Sequence, residues 1–221
     1  MYQLYYYPLN ASLAPHFVLE ALGVEYQLCF VDRKSNAQKS STYIRLNPTG
    51  RIPTLVKDKL AIFESAAICL WLAESHPEAR LIPQKDTPCR AEFHQWLMYL
   101  TSTLQAELMI YFYPEKLCPI PQAIESISQN QQNKITDCLR TLNQALDNKQ
   151  YLVADQLSVC DYFLLMLLIW ADELDTPPLK FENLKRFLHN MFKKTSVIRV
   201  CEVEGIDLAP YQSSIDTITI N

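Results

Sequence analysis

Apolar and polar positions fall into two regimes that meet near residue 77. In the first, short aromatic or β-branched runs alternate with stretches of helical period. YQLYYY (2–7) reads as a strand. LAPHFVLEALGV (13–24) reads as an amphipathic helix that begins after Ser12, takes Pro15 in its first turn and stops at Gly23. EYQLCFV (25–31) is a second strand. SSTYIRL (40–46) is a short helix closed by Asn47-Pro48, because the residue before a proline is pushed out of the helical region. TLVKD and KLAIF pair as a hairpin, although Asp58-Lys59 is a poor turn for one. ESAAICLWLAESH (64–76) completes the series as a helix with a broad apolar face. The order β-α-β-α-β-β-α predicts a small α/β domain over residues 1–77.

Pro77, Pro83 and Pro88 punctuate PEARLIPQKDTP, and residues 78–88 read as a linker. Beyond it, 89–221 reads as all-helical. Phe93, Trp96, Leu97, Leu100, Leu104 and Leu108 recur at helical spacing, as do Ile135, Leu139, Leu142 and Leu146. SQNQQNK is a solvated helix face. Ser158 with Asp161 three residues on forms a capping box, Asp standing in for Glu, with Leu157 and Tyr162 as a hydrophobic staple. Pro53 stands at a strand start, where composition alone favours a trans bond and the position also permits a cis one.

Composition narrows the function. A formal charge of -4 argues against non-specific binding to nucleic acid or anionic membranes. The apolar stretch Val159–Ala171 carries Asp161 and is shorter than the roughly 20 residues a bilayer span needs, so it predicts a buried core helix. MYQLYYYPLN shows no secretory pattern, and the seven cysteines are widely spaced without a CxxC. Both point to a soluble, cytoplasmic protein. Four scattered histidines predict no metal site, and the three glycines leave no GxSxG, GxGxxG or Walker A.

One turn carries chemistry. Tyr6, Tyr7, Asn10 and Ser12 gather hydroxyls and an amide where the first helix begins, and helix N-termini attract anions. LYYYPLNASLAPHFVLEALGV resembles the first strand, turn and helix of the bacterial beta class of cytosolic glutathione transferases. NPTGRIPTLV resembles that family's NPxGxVPxL segment, FESAAICLWLAE its ES-x-AI segment, and LSVCDYF its S-x-x-D capping box. The resemblance implies a thioredoxin-like β-α-β-α-β-β-α domain followed by an all-helical domain, with cis-Pro53. It implies glutathione as co-substrate and a homodimer. Ile52 would offer backbone N–H and C=O to the cysteinyl unit, and Glu64 and Ser65 would hold the γ-glutamyl end; helix capping is the alternative role for that pair.

The chain departs from the family pattern where the thiol is activated. Ala11 stands where beta-class relatives carry cysteine. The helical domain offers Met98 and Gln105 where relatives place Asn and His; Gln105 still donates a hydrogen bond. Ser12 and Asn10 become the candidate catalytic donors, Ser12 doubling as N-cap, while His16 is a structural residue. Tyr6 aligns with a tyrosine near the beta-class site, and Tyr7 reads as a strand residue. Lys34 and Lys39 are loose candidates for the glycyl carboxylate. Ala154 takes a position where relatives often have Gly, at a stability cost if φ is positive there. Tyr111, Phe112 and Tyr113 either line an apolar pocket or pack between helices.

The expected activity is conjugation of the glutathione thiolate to small hydrophobic electrophiles. A glutathione-dependent disulfide reductase or peroxidase, and a non-catalytic binding protein, are the alternatives. Neither a nucleic-acid nor a membrane partner is expected.

Overall fold

The computed structural model describes residues 1–212. The chain forms two compact units. One joins Met1–Ile82 to the described residues from Met191 to Gln212, and the other is Pro83–Asn190. The helical segment after Met191 thus belongs in space with the α/β unit, although its pattern groups it with the helices before it.

In the first unit, β1 (Tyr2–Tyr6) and β2 (Tyr26–Phe30) run parallel, in register from Tyr2 opposite Tyr26 to Tyr6 opposite Phe30. β3 (Thr54–Lys57) lies antiparallel to β1, and β4 (Leu60–Phe63) antiparallel to β3, giving the order β2-β1-β3-β4. Paired Leu4 and Leu55 sit in the core. α1 (Leu13–Leu22), α2 (Ser41–Leu46) and α3 (Ser65–Ser75) complete the thioredoxin-like order expected from the chain pattern. Gly23 closes α1 in the left-handed region, and the Ser40 hydroxyl caps α2 by accepting the Tyr43 N–H. The poor hairpin turn forms because Asp58 takes φ 55, a conformation aspartate tolerates better than most residues. α9 (Thr195–Glu204) and the short α10 (Ala209–Gln212) belong to this unit, α9 packing along α1.

The second unit holds α4 (Pro88–Tyr99), α5 (Gln105–Phe112), α6 (Pro121–Ala145), α7 (Val159–Trp170) and most of α8 (Glu182–Met191). α7 is buried from Val159 to Leu168, the core helix its hydrophobicity predicts. The apolar series Leu97, Leu100, Leu104 and Leu108 reads as one helix. In the structure a π-helical turn, Leu100–Leu104, separates α4 from α5. All four leucines are fully buried. The Thr101 and Ser102 hydroxyls donate back to the Leu97 and Met98 carbonyls at 2.9 and 2.6 Å.

Before α7, Val153 and Gln156 bridge across a two-residue turn whose central residues, Ala154 and Asp155, both have positive φ. Alanine bears the left-handed penalty there without a compensating side-chain bond. Ala154→Gly is expected to raise the unfolding temperature of this unit by about 2–4 °C, corresponding to about 1 kcal/mol, by scanning calorimetry. An unchanged or lower value would show that the turn is not under strain.

Candidate functional site

The turn between β1 and α1 is tied from three sides. Ser12 is fully buried, and its hydroxyl donates to the Tyr7 carbonyl at 3.2 Å while accepting the Tyr7 N–H at 3.4 Å. Ser12 precedes α1 but makes no side-chain cap bond. The N-cap role expected for it is replaced by a clasp across the turn. Asn10 Oδ1 accepts the Ala11 N–H at 2.7 Å, which leaves the amide nitrogen of Asn10 without a partner among the described residues. From the other side, the Ser65 hydroxyl at the start of α3 donates to the Ala11 carbonyl at 2.7 Å. Leu9, at φ 57, donates its N–H to Glu204 Oε2 at 2.9 Å.

Glu64 takes φ 70 and ψ 114, unfavourable for a residue with a Cβ, and its side chain is exposed. Such outliers persist where the surrounding structure imposes them, and they gather at ligand sites. The Ile52–Pro53 peptide is cis, as the family resemblance implies. Ile52 is buried against Val31 and Tyr43, with Tyr7 on the cluster's margin. The neighbouring Arg51 carbonyl accepts from Tyr43 Oη at 2.7 Å and Asn47 Nδ2 at 2.8 Å. Ile52's own N–H and C=O enter no bond among the described residues, so this one residue presents an open backbone donor and acceptor. Lys39 Nζ lies 3.4 Å from the Thr49 carbonyl, on the loop that leads to Ile52. Gly50 is required beside it, since at φ 59 an added Cβ would meet Lys39 and Ile44 within 3.0 Å. Lys34 sits on an exposed turn closed by Asp32.

His16 is buried and structural. Its Nδ1 lies 2.7 Å from Glu204 Oε1 and its Nε2 3.2 Å from Tyr26 Oη. Tyr26 in turn donates to Glu20 at 2.8 Å, and Arg199 pairs with Glu20 at 3.1 Å. Burial, with the Glu20 hydrogen bond behind it, pushes the Tyr26 hydroxyl well above its usual range, which keeps it a donor.

In the second unit, Gln105 opens α5 and is half-buried, and Met98 is exposed. Seven residues make two turns of an α-helix, so Met98 and Gln105 would share a face. The π turn removes roughly 100° from that rotation and takes Gln105 off the Met98 face. Phe112 meets Trp170 edge-on at 6.4 Å, in keeping with a packing role, and Lys116 lies over the Tyr113 ring at 3.6 Å. Among the described residues no group of His, Cys, Asp or Glu is arranged to hold a metal, and no helix is long and apolar enough to cross a membrane.

Comparison with known proteins places this geometry. Residues 2–74 match the glutathione S-transferase N-terminal domain, and 101–194 match the C-terminal domain of the same family. Glutathione S-transferase D7 of Drosophila melanogaster is 30% identical over 195 residues, covering 87% of this chain and 84% of that protein. The chain belongs to the glutathione S-transferase family. Two solved structures share the transferase's fold. The glutathione S-transferase from Xylella fastidiosa superposes with a TM-score of 0.86 at 24% identity, covering 94% of this chain and 100% of that one. A Sulfitobacter glutathione transferase homologue with bound glutathione superposes with a TM-score of 0.84 at 23% identity, covering 94% and 99%.

Two features of the transferase escaped the sequence reading. Glu204 was missed, although it falls on the buried stripe Val197, Val200, Cys201, Glu204 of α9; an acid at an apolar position of a helical period is the signal. The π turn was missed too, since leucine spacings of three, four and four fit an unbroken α-helix.

Proposed function

We propose that this transferase binds glutathione along Ile52, Pro53, Glu64 and Ser65 and activates its thiol at the Asn10–Ser12 turn for conjugation to small hydrophobic electrophiles. The observation that carries the reading is the unpaired Ile52 backbone beside a cis peptide, in the same unit as a strained Glu64–Ser65 corner bonded to the activating turn. The extended cysteinyl unit pairs with Ile52 as an added strand would. The γ-glutamyl carboxylate takes the α3 N-terminus at Ser65, and the Glu64 carboxylate meets the ammonium.

A free thiol is mostly protonated at neutral pH, so activation requires donors aimed at the sulfur. Asn10 is the better supported donor, because its amide nitrogen is uncommitted while the Ser12 proton goes to Tyr7. Ser12 acts by holding the turn closed. A homodimer and a cytoplasmic location complete the reading; sizing chromatography that returns a 25.6 kDa monomer would count against the first.

The test is the thiolate absorbance of glutathione against pH, with and without stoichiometric protein. The titration is expected to move about one to two pH units below that of free glutathione. Asn10→Ala is expected to return most of that shift and lower kcat/KM about tenfold, with little effect on glutathione affinity. A curve that the protein leaves unmoved would sink the transferase mechanism.

A further inference from the structure

We propose that the carboxyl end of the β1–β2 pair carries a shelf for the second substrate, and that it selects planar aromatic electrophiles bearing an anionic group. The proposal rests on the transferase reading above and names the substrate class for that site. Ligands of open sheets gather at the carboxyl ends of parallel strands. Here those ends are Tyr6 and Phe30, paired in register. Phe30 is 59% exposed and Leu9, in the activating turn, 48% exposed. The exposed face of Phe30 is apolar surface that a ligand ring can cover.

The aromatic groups are already ordered for stacking. The Phe30 and Tyr7 rings lie 5.7 Å apart at 29°, and Tyr6 meets Phe30 edge-on at 6.0 Å. Tyr7 also supplies the backbone groups that clasp Ser12, so the shelf adjoins the turn where the thiol is activated. A flat ring laid against Phe30 extends an existing stack rather than building one.

Charge decides which ring. The Arg33 guanidinium stands 5.9 Å from the centre of the Tyr7 ring. Residues 32–51, between β2 and β3, hold five Lys and Arg against one Asp, a net charge of +4, while the rest of the chain, with 15 basic and 23 acidic side chains, carries -8. In an acidic protein that concentration of positive charge attracts anions toward the segment that follows β2. A carboxylate or sulfonate on the ring would face Arg33 while the ring covers Phe30. In the reaction the thiol proton passes to solvent and the sulfur lone pair forms the C–S bond to the ring carbon bearing chloride. Nitro groups on the ring hold the added charge, and the C–Cl electron pair leaves with chloride.

The experiment compares 4-chloro-3,5-dinitrobenzoate with its neutral amide, each kcat/KM divided by its uncatalysed rate with glutathione. The full-length enzyme is expected to favour the carboxylate about tenfold at low salt and less at high salt. Arg33→Gln, with an unchanged unfolding temperature, is expected to bring the two within about twofold. Phe30→Ala is expected to raise KM about fivefold for both while leaving the KM for glutathione unchanged. Turnover of both substrates with no preference, or with a preference Arg33→Gln does not alter, overturns the shelf and leaves the transferase reading standing. So does a Phe30→Ala enzyme with unchanged KM. Turnover of neither, with glutathione still bound, defeats the transferase reading and the shelf with it.

Discussion

Asp161→Ala is expected to cost about 3–5 kcal/mol of folding stability and to lower the unfolding temperature of the helical unit by about 10–15 °C. The carboxylate is fully buried and accepts three hydrogen bonds. Oδ2 takes the Ser158 N–H at 2.7 Å and the Ser158 hydroxyl at 2.9 Å, and Oδ1 takes the Leu152 N–H at 2.8 Å. The capping box of α7 is thereby joined to the strand-like segment before the 154–155 turn. Removal strands three donors where water does not reach, each worth about 1–3 kcal/mol. Burial raises the Asp161 pKa to about 6 against the pull of those bonds, so calorimetry at pH 8 measures the ionised group. Asp161→Asn keeps one acceptor oxygen but sets an N–H against donors, and is expected to lose about half as much. A loss under about 1 kcal/mol for the alanine variant would mean that the box does not hold α7.

The second large effect is expected at Glu204. Tyr26 gives its proton to Glu20 and stands 3.2 Å from His16 Nε2. At the other nitrogen, Nδ1 stands 2.7 Å from Glu204 Oε1, with both side chains fully buried. Glu204 Oε2 meanwhile holds the Leu9 N–H. Glu204→Ala leaves a buried imidazole and a backbone donor without their acceptor, at an expected cost of about 3–5 kcal/mol. Leu9 then loses the contact that holds its left-handed backbone, so glutathione turnover is expected to fall at temperatures where the protein is still folded. Replacing His16 and Glu204 together by leucine restores part of the stability, since a buried pair exchanged for apolar side chains is often neutral. It does not restore Leu9's acceptor, and turnover is expected to stay low. Full recovery of turnover in the double variant would show that the pair holds the fold and not the turn.

These two sites mark how far a one-dimensional reading reaches. Ser158 and Asp161 lie three residues apart, and the box was legible because capping is a local contest for unpaired N–H groups. The strand and helix order was legible for a similar reason: side-chain period reports backbone type wherever one face is buried. Ala154 was readable as a strain site, since its conformation follows from the turn around it. The likeness of NPTGRIPTLV and FESAAICLWLAE to one family carried the cis bond and the candidate glutathione contacts, which periodicity alone did not supply.

What remained needed the folded chain. Ser12 was read as an N-cap from its place before α1, and its hydroxyl turned inward because Tyr7 offered both a donor and an acceptor across the turn. Gln105 was placed by its position relative to the family pattern, and the π turn between Met98 and Gln105, which the spacing did not show, sets the two on different faces. His16 met its carboxylate 188 residues later in the chain, because α9 packs on α1 in the first unit rather than with the helices that precede it. The sequence by itself determined the element types, the caps and the family. Tertiary packing alone decided which polar atoms of the β1–α1 turn are spent on the fold and which stay unbonded, since a hydrogen bond is assigned only when both partners have been brought within reach.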